Sequence, residues 1–394
     1  MTAPFIKSVT LRGFLSFPPE GVTLPMAPLN VLIGPNGSGK SNFIEALALL
    51  RAVPKDLPLP VRQGGGVREW LYRGEPQATR AEIDVVFGEG HVAYPPTLSP
   101  PAVRYHLAFG VDGESFVVLD ERLENESGKP KPYFYFGYEN GRPMVNVAGG
   151  KRELRREDID PAQSILSQRR DPDTYPEITR LADRLGRIRT YREWAFGPDS
   201  PIRQSSRADA RADGLSEALD NLPTRLAVLK RDPAVKRELL ARLGDVAPGF
   251  TDLEVVPEGG RLQLYLTEGR HNVPAHRLSD GTLRYLALLA ILLDPAPPPL
   301  VVIEAPELGL HFDLMPKIAQ LLGDASTRAQ LVVTTHSDVL VDALQDAPER
   351  VVVCEKGDGG TTLHRLDAAP LAEWLTRYSL GTLWTRGQLG GTRW

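Results

Sequence analysis

The stretch LNVLIGPNGSGKSNFIEALALL, residues 29–50, decides the fold of this chain. It opens with a short apolar run that predicts a buried strand, and the spacing of Phe43, Leu47 and Leu50 predicts a helix after it. Between the two, Gly34–Ser41 reads GPNGSGKS and matches G-x-x-x-x-G-K-[ST]. A glycine turn between a strand and a helix accounts for the glycines but not for Lys-Ser at this offset. The stretch therefore predicts a phosphate-binding loop.

The residue types of this loop suit the phosphates of a nucleotide. Glycines let backbone N–H groups turn inward around the β-phosphate, and the helix N-terminus adds its positive end. We expect Lys40 to reach the β- and γ-phosphates and the Ser41 hydroxyl to ligate magnesium, so the cofactors are ATP and Mg²⁺. The predicted nucleotide-binding residues of the loop are Gly34, Pro35, Asn36, Gly37, Ser38, Gly39, Lys40, Ser41 and Asn42.

The composition is that of a folded protein, with 42% hydrophobic and 24% charged residues among 394. A chain of this length is longer than the usual domain with a single hydrophobic core, so an insertion or a second domain is expected. The net charge of −4 leaves nucleic-acid contact to a local patch. Cys354 is the single cysteine, which excludes an internal disulfide. The N-terminus lacks an apolar signal sequence and no apolar run could span a bilayer, so we expect a cytoplasmic protein without membrane contact.

Both ends of the chain carry the predicted nucleotide-binding elements, with a mixed insertion between them. The pattern predicts antiparallel strands from about 81 to 147, helices over 177–194 and 222–243, and hairpins over 253–266 and 350–366. It also predicts a helix capped by Ser279 and running through Leu293, followed by buried strands at 299–304 and 329–337. The expected domains are a head segment 1–84, a β-rich then helical insertion 85–276, and a second head segment 277–394.

Four motifs together resemble the ABC-type ATPase heads of the RecF/SMC/Rad50 group, including stand-alone bacterial, OLD-like ATPases without a nuclease domain. They are VTLRGFLSF with GPNGSGKSNFIEAL at the N-terminal end, RLSDGTLRYLALLAILL like the signature motif, VVIEAPELGLH like the Walker B strand and D-loop, and VVTTHSDVL like the switch-histidine strand. The resemblance implies an α/β fold, an ABC-type P-loop NTPase head with a mixed central sheet, an antiparallel β lobe and an α+β insertion.

The resemblance also implies roles for residues far from the loop. In such heads the signature serine and its helix N-terminus face the γ-phosphate bound to the other protomer. This implies nucleotide binding by Ser279, Asp280 and Gly281 across a head-to-head homodimer, although Asp280 stands where the family usually has Gly. His336 follows a buried strand and is implied as a γ-phosphate sensor. Gln63 is a candidate magnesium-site residue of the Q-loop, with a solvated loop residue as the alternative.

The Walker B strand departs from the family at one position. Glu304 takes the place of the magnesium-binding Asp, and Ala305 takes the place of the catalytic Glu. Alanine cannot accept a proton, and loss of a general base commonly costs about 10²–10⁴-fold in rate. Glu307 is a substitute that we do not expect to act. Either the sequence is an engineered Glu→Ala variant that traps the ATP-bound state, which the intact neighbouring motifs favour, or the protein is a naturally slow hydrolase or ATP-binding switch.

The function implied by the resemblance is Mg-ATP binding and hydrolysis by a head dimer that acts as a conformational switch. Relatives of this kind work beside a separate effector, such as a nuclease or toxin, in DNA repair or phage defence. One alternative is a scaffold that binds ATP without turnover. Another is a RecF-like DNA clamp, for which an arginine-rich segment offers a candidate phosphate track, the alternative being a solvated surface with ion pairs. Its members are Arg180, Arg184, Arg187, Arg189, Arg192, Arg203, Arg207 and Arg211.

Overall fold

The structure is a computed structural model, and it describes residues 4–88, 102–126, 132–139, 141–147, 150–154, 158–195 and 197–391. These residues form two compact units. Unit one comprises Met1–Ile188, Ala347–Tyr378 and Leu383–Trp394, and unit two comprises Arg189–Asp346 and Ser379–Thr382. Domain boundaries at residues 84 and 276 stay a prediction.

The strands of the described residues are divided between the two units. Those of unit one are β1 Ile6–Arg12, β2 Val22–Pro25, β3 Leu29–Ile33, β4 Arg80–Phe87, β5 Val103–Asp112, β6 Ser115–Asn125, β7 Phe134–Glu139, β8 Arg142–Val147, β9 Gly150–Glu153, β17 Val351–Gly357 and β18 Gly360–Arg365. Those of unit two are β10 Arg189–Tyr191, β11 Ser206–Arg207, β12 Phe250–Glu258, β13 Arg261–Glu268, β14 His271–Pro274, β15 Leu300–Glu304 and β16 Gln330–Thr334.

The helices of the described residues are short, and the longest of them has 14 residues. They are α1 Lys40–Ala52, α2 Pro58–Gln63, α3 Ile165–Gln168, α4 Pro176–Gly186, α5 Leu222–Leu229, α6 Pro233–Val246, α7 Asp280–Leu292, α8 Met315–Ala325, α9 Asp338–Asp342, α10 Ala368–Leu375 and α11 Leu380–Thr385. In the described part of the chain, no helix is both long and apolar enough to cross a membrane.

Unit one contains the predicted antiparallel lobe. Its strands follow the order β2-β1-β4-β5-β6-β7-β8-β9, and the pairs between neighbours are antiparallel. Aromatic side chains pack at this sheet: the ring of Phe109 in β5 meets that of Phe14, which follows β1, edge to face at 6.3 Å. The predicted antiparallel strands over about 81–147 are therefore confirmed in the described residues of that range.

Strand β3 leads into the phosphate loop and pairs within unit one with β17. The two strands are parallel, with Val31 opposite Val351 and Ile33 opposite Val353. Every residue of β3 is buried, as expected for a strand covered on both faces. Strands β17 and β18 form the predicted hairpin. This register puts the residues that follow Ile33 beside those that follow Val353.

Unit two holds a second set of parallel strands. Strand β15 pairs in parallel with β16, with Glu304 opposite Thr334, and with β10 on its other side. The hairpin of β12 and β13 is present as predicted. Helix α7 begins after Ser279, whose hydroxyl oxygen accepts a hydrogen bond from the N–H of Thr282, so the predicted cap is confirmed.

Two helix predictions are wrong in extent. The first, over 177–194, ends at Gly186, and Arg189–Tyr191 forms β10 because Thr190 and Tyr191 find a strand partner in β15. The second, over 222–243, is broken between α5 and α6, where Asp232 caps a new helix that starts at Pro233. Proline at the first position of a helix forfeits no hydrogen bond, whereas inside a helix it breaks one.

Candidate nucleotide site

The loop Gly34–Ser41 lies between the end of β3 and the start of α1, where the sequence predicts it. Gly34, Gly37 and Gly39 have φ angles of 145°, 82° and 105°, which side-chain-bearing residues rarely adopt. Two of the glycines are also needed for close packing. A Cβ on Gly34 would lie 2.3 Å from the carbonyl oxygen of Cys354, and one on Gly39 would lie 2.3 Å from Oγ1 of Thr361. The loop conformation thus requires glycine at these places.

The donor groups of this loop fit a polyphosphate. Helix α1 starts after Gly39 without a capping side chain and has no acidic residue in its first turn, so its positive end meets no carboxylate of its own. Lys40 is buried, and its ammonium donates to the carbonyl oxygens of Gly34 (2.7 Å) and Pro35 (3.0 Å). Among the described residues, the buried Ser38 hydroxyl oxygen has no hydrogen-bond partner. Cation, backbone donors and hydroxyl are the groups that phosphate oxygens accept from.

A hydroxyl network holds the loop from one side. The Thr361 hydroxyl donates to Oγ of Ser16 at 2.7 Å and approaches the carbonyl oxygen of Ser38 at 3.0 Å. The side-chain amide of Asn42 donates to the same Ser16 oxygen at 2.7 Å. Residues from three parts of unit one therefore fix the loop and the first turn of α1. Asn42, a member of this network, also lines a cavity.

This cavity has a volume of about 390 Å³ and lies within unit one. Its walls combine apolar and polar groups, including Leu15, Tyr72, Asn42, Lys356 and Asp358. A site of this size and mixed lining suits a small ligand. Gln63 does not line it, and sits exposed at the end of α2 rather than in the loop that the sequence suggests.

In unit two, Glu304 ends β15 and is held by two residues that follow β10. Arg192 Nε lies 3.1 Å from Oε2 of Glu304. The indole N–H of Trp194 donates to the backbone oxygen of Glu304 at 2.8 Å. Because β10 and β15 are parallel with Tyr191 opposite Ile303, both contacts follow from the strand register. The side chain expected to hold magnesium is thus paired with a guanidinium.

Ala305, at the position of the general base, adopts a φ angle of 49°. Its N–H donates to the backbone oxygen of Thr334 at 3.0 Å, and its own oxygen accepts a hydrogen bond from the Arg284 guanidinium. Arg284 also lies over the ring of Trp194, 4.1 Å from the centroid. Burial lowers the pKa of Arg284 to about 10, so it stays charged near neutral pH. The turn after Glu304 is therefore fixed by its backbone, independently of the side chain at 305.

Glu307 and His336 meet just beyond the carboxyl ends of β15 and β16. The backbone N–H of His336 donates to Oε1 of Glu307 at 2.8 Å. The other carboxylate oxygen, Oε2, is buried and accepts no hydrogen bond from the described residues. The His336 imidazole is exposed. Unit two therefore brings Glu304, Ala305 and His336 to one edge of its parallel strands.

The signature segment reaches the same part of unit two. A Cβ on Gly281 would lie 3.1 Å from the backbone oxygen of Gly309, so the helix start approaches the turn after Walker B. Asp280 forms an ion pair with Arg203, 2.6 Å between Nη2 and Oδ1. Arg203 also donates to the backbone oxygens of His276 and Leu278. This arginine therefore joins both sides of the Ser279 cap.

Several of the arginines in the basic segment are engaged by the protein itself. Arg192 pairs with Glu304, Arg203 with Asp280 and Arg207 with Asp209. Arg184 lies over the ring of Phe5 at 5.2 Å. The sequence indicated Arg192 and Arg203 only as members of the basic segment. It gave no sign of their pairing with Glu304 and Asp280, which lie 112 and 77 residues away. For the pair of Arg192 with Glu304 there is a local signal of the strand alone: after Gly186, the residues Ile188–Tyr191 have the composition of a short strand.

Comparison with known families gives one match over most of the chain. Residues 29–342 match the family described as "AAA domain, putative AbiEii toxin, Type IV TA system". The match includes the phosphate loop, the signature segment, the Walker B strand and His336.

Curated relatives include chromosome partition proteins named Smc. That of Mycolicibacterium paratuberculosis is 26% identical over 269 residues, covering 59% of this chain and 21% of the relative. That of Mycobacterium tuberculosis is 25% identical over 235 residues, covering 57% of this chain and 19% of the relative. The chain thus spans about a fifth of the length of these proteins.

Solved structures establish the fold. An Smc head bound to the C-terminal winged-helix domain of ScpA superposes with a TM-score of 0.59 at 18% identity, covering 92% of this chain and 98% of that one. An Smc head from Pyrococcus furiosus, with an extended coiled coil and bound to the C-terminal domain of ScpA, gives a TM-score of 0.53 at 17% identity, covering 95% and 99%. The expected P-loop NTPase head is therefore the fold of this chain.

Proposed function

The chain belongs to this AAA domain family, and on that premise we propose that it binds Mg-ATP at Gly34–Ser41 and uses the bound nucleotide as a conformational signal. The observation that carries the proposal is the loop itself, with glycine-only backbone angles and an uncapped helix start. The buried Lys40 at its centre supports the same assignment. Backbone N–H groups, a helix N-terminus and a lysine ammonium are together the donors that bind the phosphates of a nucleotide.

On this proposal, Lys40 exchanges the carbonyl oxygens of Gly34 and Pro35 for phosphate oxygens. Its ammonium is already inside the loop, so binding needs a small displacement of a side chain that the fold has desolvated. The cavity beside Asn42 takes the nucleoside part, with Tyr72 and Leu15 as apolar surface and Lys356 and Asp358 as polar groups. The phosphates supply affinity, and the cavity supplies the preference for a nucleoside.

Magnesium would neutralise charge on the phosphates when bound. Ser41 and Glu304 are the residues that we assign to it. The Ala305 methyl group neither accepts a proton nor orients water, so we propose slow hydrolysis in this chain. Gln63 is a weaker assignment, since it ends α2 with an exposed side chain.

The signal itself is proposed to be association of two heads. Ser279, Asp280 and Gly281 would meet the nucleotide of the partner head, and His336 would sense its γ-phosphate. This part rests on the resemblance to SMC-type heads. A separate effector of defence type, such as a nuclease or toxin, is the partner that the same resemblance implies. DNA repair is a second setting for the same switch.

A second function, an ATP-dependent scaffold without turnover, is favoured by one observation. The turn at Ala305 is fixed through its backbone, by Thr334 and Arg284, so it persists without a glutamate side chain. A head that holds ATP and does not hydrolyse it would form a lasting platform for a partner protein. Turnover measured with and without a glutamate at 305 separates the two functions.

Titration with ATPγS in the presence of Mg²⁺ tests the binding proposal. Lys40→Ala should weaken affinity by roughly 10- to 100-fold, the range for loss of a charged hydrogen bond. Lys236→Ala, which removes an ammonium paired with Asp252 in unit two, is the matched control and should leave affinity unchanged. Equal binding by the Lys40→Ala variant and the unaltered chain would refute the assignment of this loop.

A further inference from the structure

The C-terminal segment Leu383–Gly391, called here the tail loop, folds back on itself. The N–H of Gly387 donates to the backbone oxygen of Trp384, and that of Gln388 donates to Leu383, both at 2.9 Å. The Trp384 side chain is buried, and its indole N–H approaches the backbone oxygen of Gly391 at 3.3 Å. The tail loop is therefore a closed turn whose end is held by its own tryptophan.

The end of the tail loop is fixed to strand β17. The N–H of Gly391 donates to Oε1 of Glu355 at 2.8 Å. A Cβ on Gly390 would lie 2.6 Å from the same oxygen, and a Cβ on Gly391 would lie 2.8 Å from Cγ1 of Val353. Both glycines have positive φ angles, 75° and 67°. Two consecutive glycines are therefore required for the segment to reach the strand.

This contact extends to the first residue of the phosphate loop. Since β3 and β17 are parallel with Ile33 opposite Val353, Gly34 follows at the same edge as Cys354 and Glu355. A Cβ on Gly391 would be 3.4 Å from the Cα of Gly34, which is van der Waals distance. A Cβ added to Gly34 itself would lie 2.3 Å from the backbone oxygen of Cys354. The first loop residue is thus confined by β17 and by the tail loop.

We propose that the tail loop is a positioning element for nucleotide binding. The hydrogen bond from Gly391 to Glu355 holds the tail against Gly34, and this restricts the backbone that must present its N–H groups to the phosphates. A phosphate loop held in its binding conformation loses less conformational entropy when the ligand arrives. The inference rests on the proposed nucleotide function, but its structural part concerns the loop without ligand.

Four variants test it. Gly391→Ala introduces the overlap with Val353, and Glu355→Ala removes the acceptor of the Gly391 N–H. Glu355→Gln keeps a carbonyl oxygen at that acceptor and is the conservative rescue. Gly113→Ala is the matched control, since Gly113 lies in unit one with a φ angle of 61° and nothing within 4 Å of an added Cβ. It imposes the same backbone cost without touching the tail.

Hydrogen–deuterium exchange of residues 34–41 is measured without nucleotide, together with ATPγS affinity and the thermal midpoint of each variant. Gly391→Ala and Glu355→Ala should speed exchange in the loop and weaken affinity by about three- to tenfold. Glu355→Gln and Gly113→Ala should match the unaltered chain in exchange and affinity.

The proposal is overturned if Gly391→Ala and Glu355→Ala leave loop exchange unchanged, or if Glu355→Gln behaves like Glu355→Ala. It is also overturned if Gly113→Ala speeds loop exchange as much as Gly391→Ala, because the effect would then be one of stability alone. Absence of ATPγS binding by the unaltered chain would instead refute the nucleotide function. The exchange experiment still decides the role of the tail loop in that case.

Discussion

Arg192 and Glu304 form an ion pair in unit two, with 3.1 Å between Nε and Oε2, although 112 residues separate them in sequence. The pair exists because β10 is the parallel neighbour of β15, the strand that ends at Glu304. It places the positive guanidinium of Arg192 beside the carboxylate that we propose as a magnesium ligand. Each partner is about a quarter exposed, so solvent weakens but does not cancel the interaction.

Replacement of Arg192 by Gln should therefore ease magnesium binding. The guanidinium competes with the metal for Glu304, and its loss should lower the Mg²⁺ concentration for half-maximal binding of a fluorescent ATP analogue by about two- to fivefold. The measurement is a Mg²⁺ titration at fixed nucleotide concentration. Arg207→Gln, which breaks an exposed pair with Asp209, is the control. A higher Mg²⁺ requirement in Arg192→Gln would show that the arginine supports the site rather than competing with it.

Replacement of Ala305 by Glu should raise ATP turnover. A carboxylate at this position supplies a general base, for which the expected gain is about 10²–10⁴-fold. The backbone already has a φ angle of 49° with alanine, and glutamate bears a similar conformational cost there. Steady-state phosphate release measures the effect, with Ala305→Gln as a control of similar size that lacks a base. Equal turnover in all three forms would favour the scaffold function.

Replacement of Asp280 by Gly should destabilise this protein, although Gly is the usual residue at this position in the ABC-type heads that the chain resembles. The Arg203 side chain is only 9% exposed and would lose its carboxylate partner. The backbone oxygens of His276 and Leu278 still accept from it, so the expected loss of unfolding free energy is about 1 to 3 kcal/mol.

Chemical denaturation measures this loss, and the double variant Arg203→Met with Asp280→Gly should recover part of it. Asp280→Asn keeps an acceptor and should cost less than Asp280→Gly. Unchanged stability in Asp280→Gly would mean that the ion pair contributes nothing to the signature segment.

The antiparallel lobe has a pH-dependent contact at Asp84. Burial alone would raise the pKa of Asp84, but hydrogen bonds from His106 and Arg104 outweigh it and lower the pKa to about 2. A carboxyl group with a depressed pKa stabilises the fold above its ordinary pKa of 3.8, and this contribution is lost as pH falls through about 2. Asp84→Asn should thus cost about 1 to 2 kcal/mol at pH 7, after allowance for the half-exposed Arg104.

The difference between Asp84→Asn and the unaltered chain should shrink as the pH approaches 2. Urea denaturation at pH 7 and pH 3 measures it, with the exposed Asp209→Asn as a control that should leave stability unchanged. A difference that grows on acidification has the wrong sign for a depressed pKa and would contradict this account.

Local chemistry made much of the fold readable from sequence. Some elements have a sequence signal contained within about 20 positions: the phosphate loop, the Ser279 cap and the hairpins β12–β13 and β17–β18. Glycines with positive φ, a serine before a helix and alternating β-branched residues act through the backbone next to them. Chains that share these motifs share the same local signals. The resemblance based on the motifs therefore predicted the fold correctly.

The sequence by itself thus determined the P-loop, its neighbouring elements and the P-loop NTPase fold. Tertiary structure alone decided that Arg189–Tyr191 is a strand, that Arg192 faces Glu304, that Arg203 neutralises Asp280 and that Gly391 packs beside Gly34. The physical reason is that parallel strand pairing and ion pairing depend on partners tens to hundreds of residues away. Periodicity along the chain carries no record of which distant strand will be the neighbour.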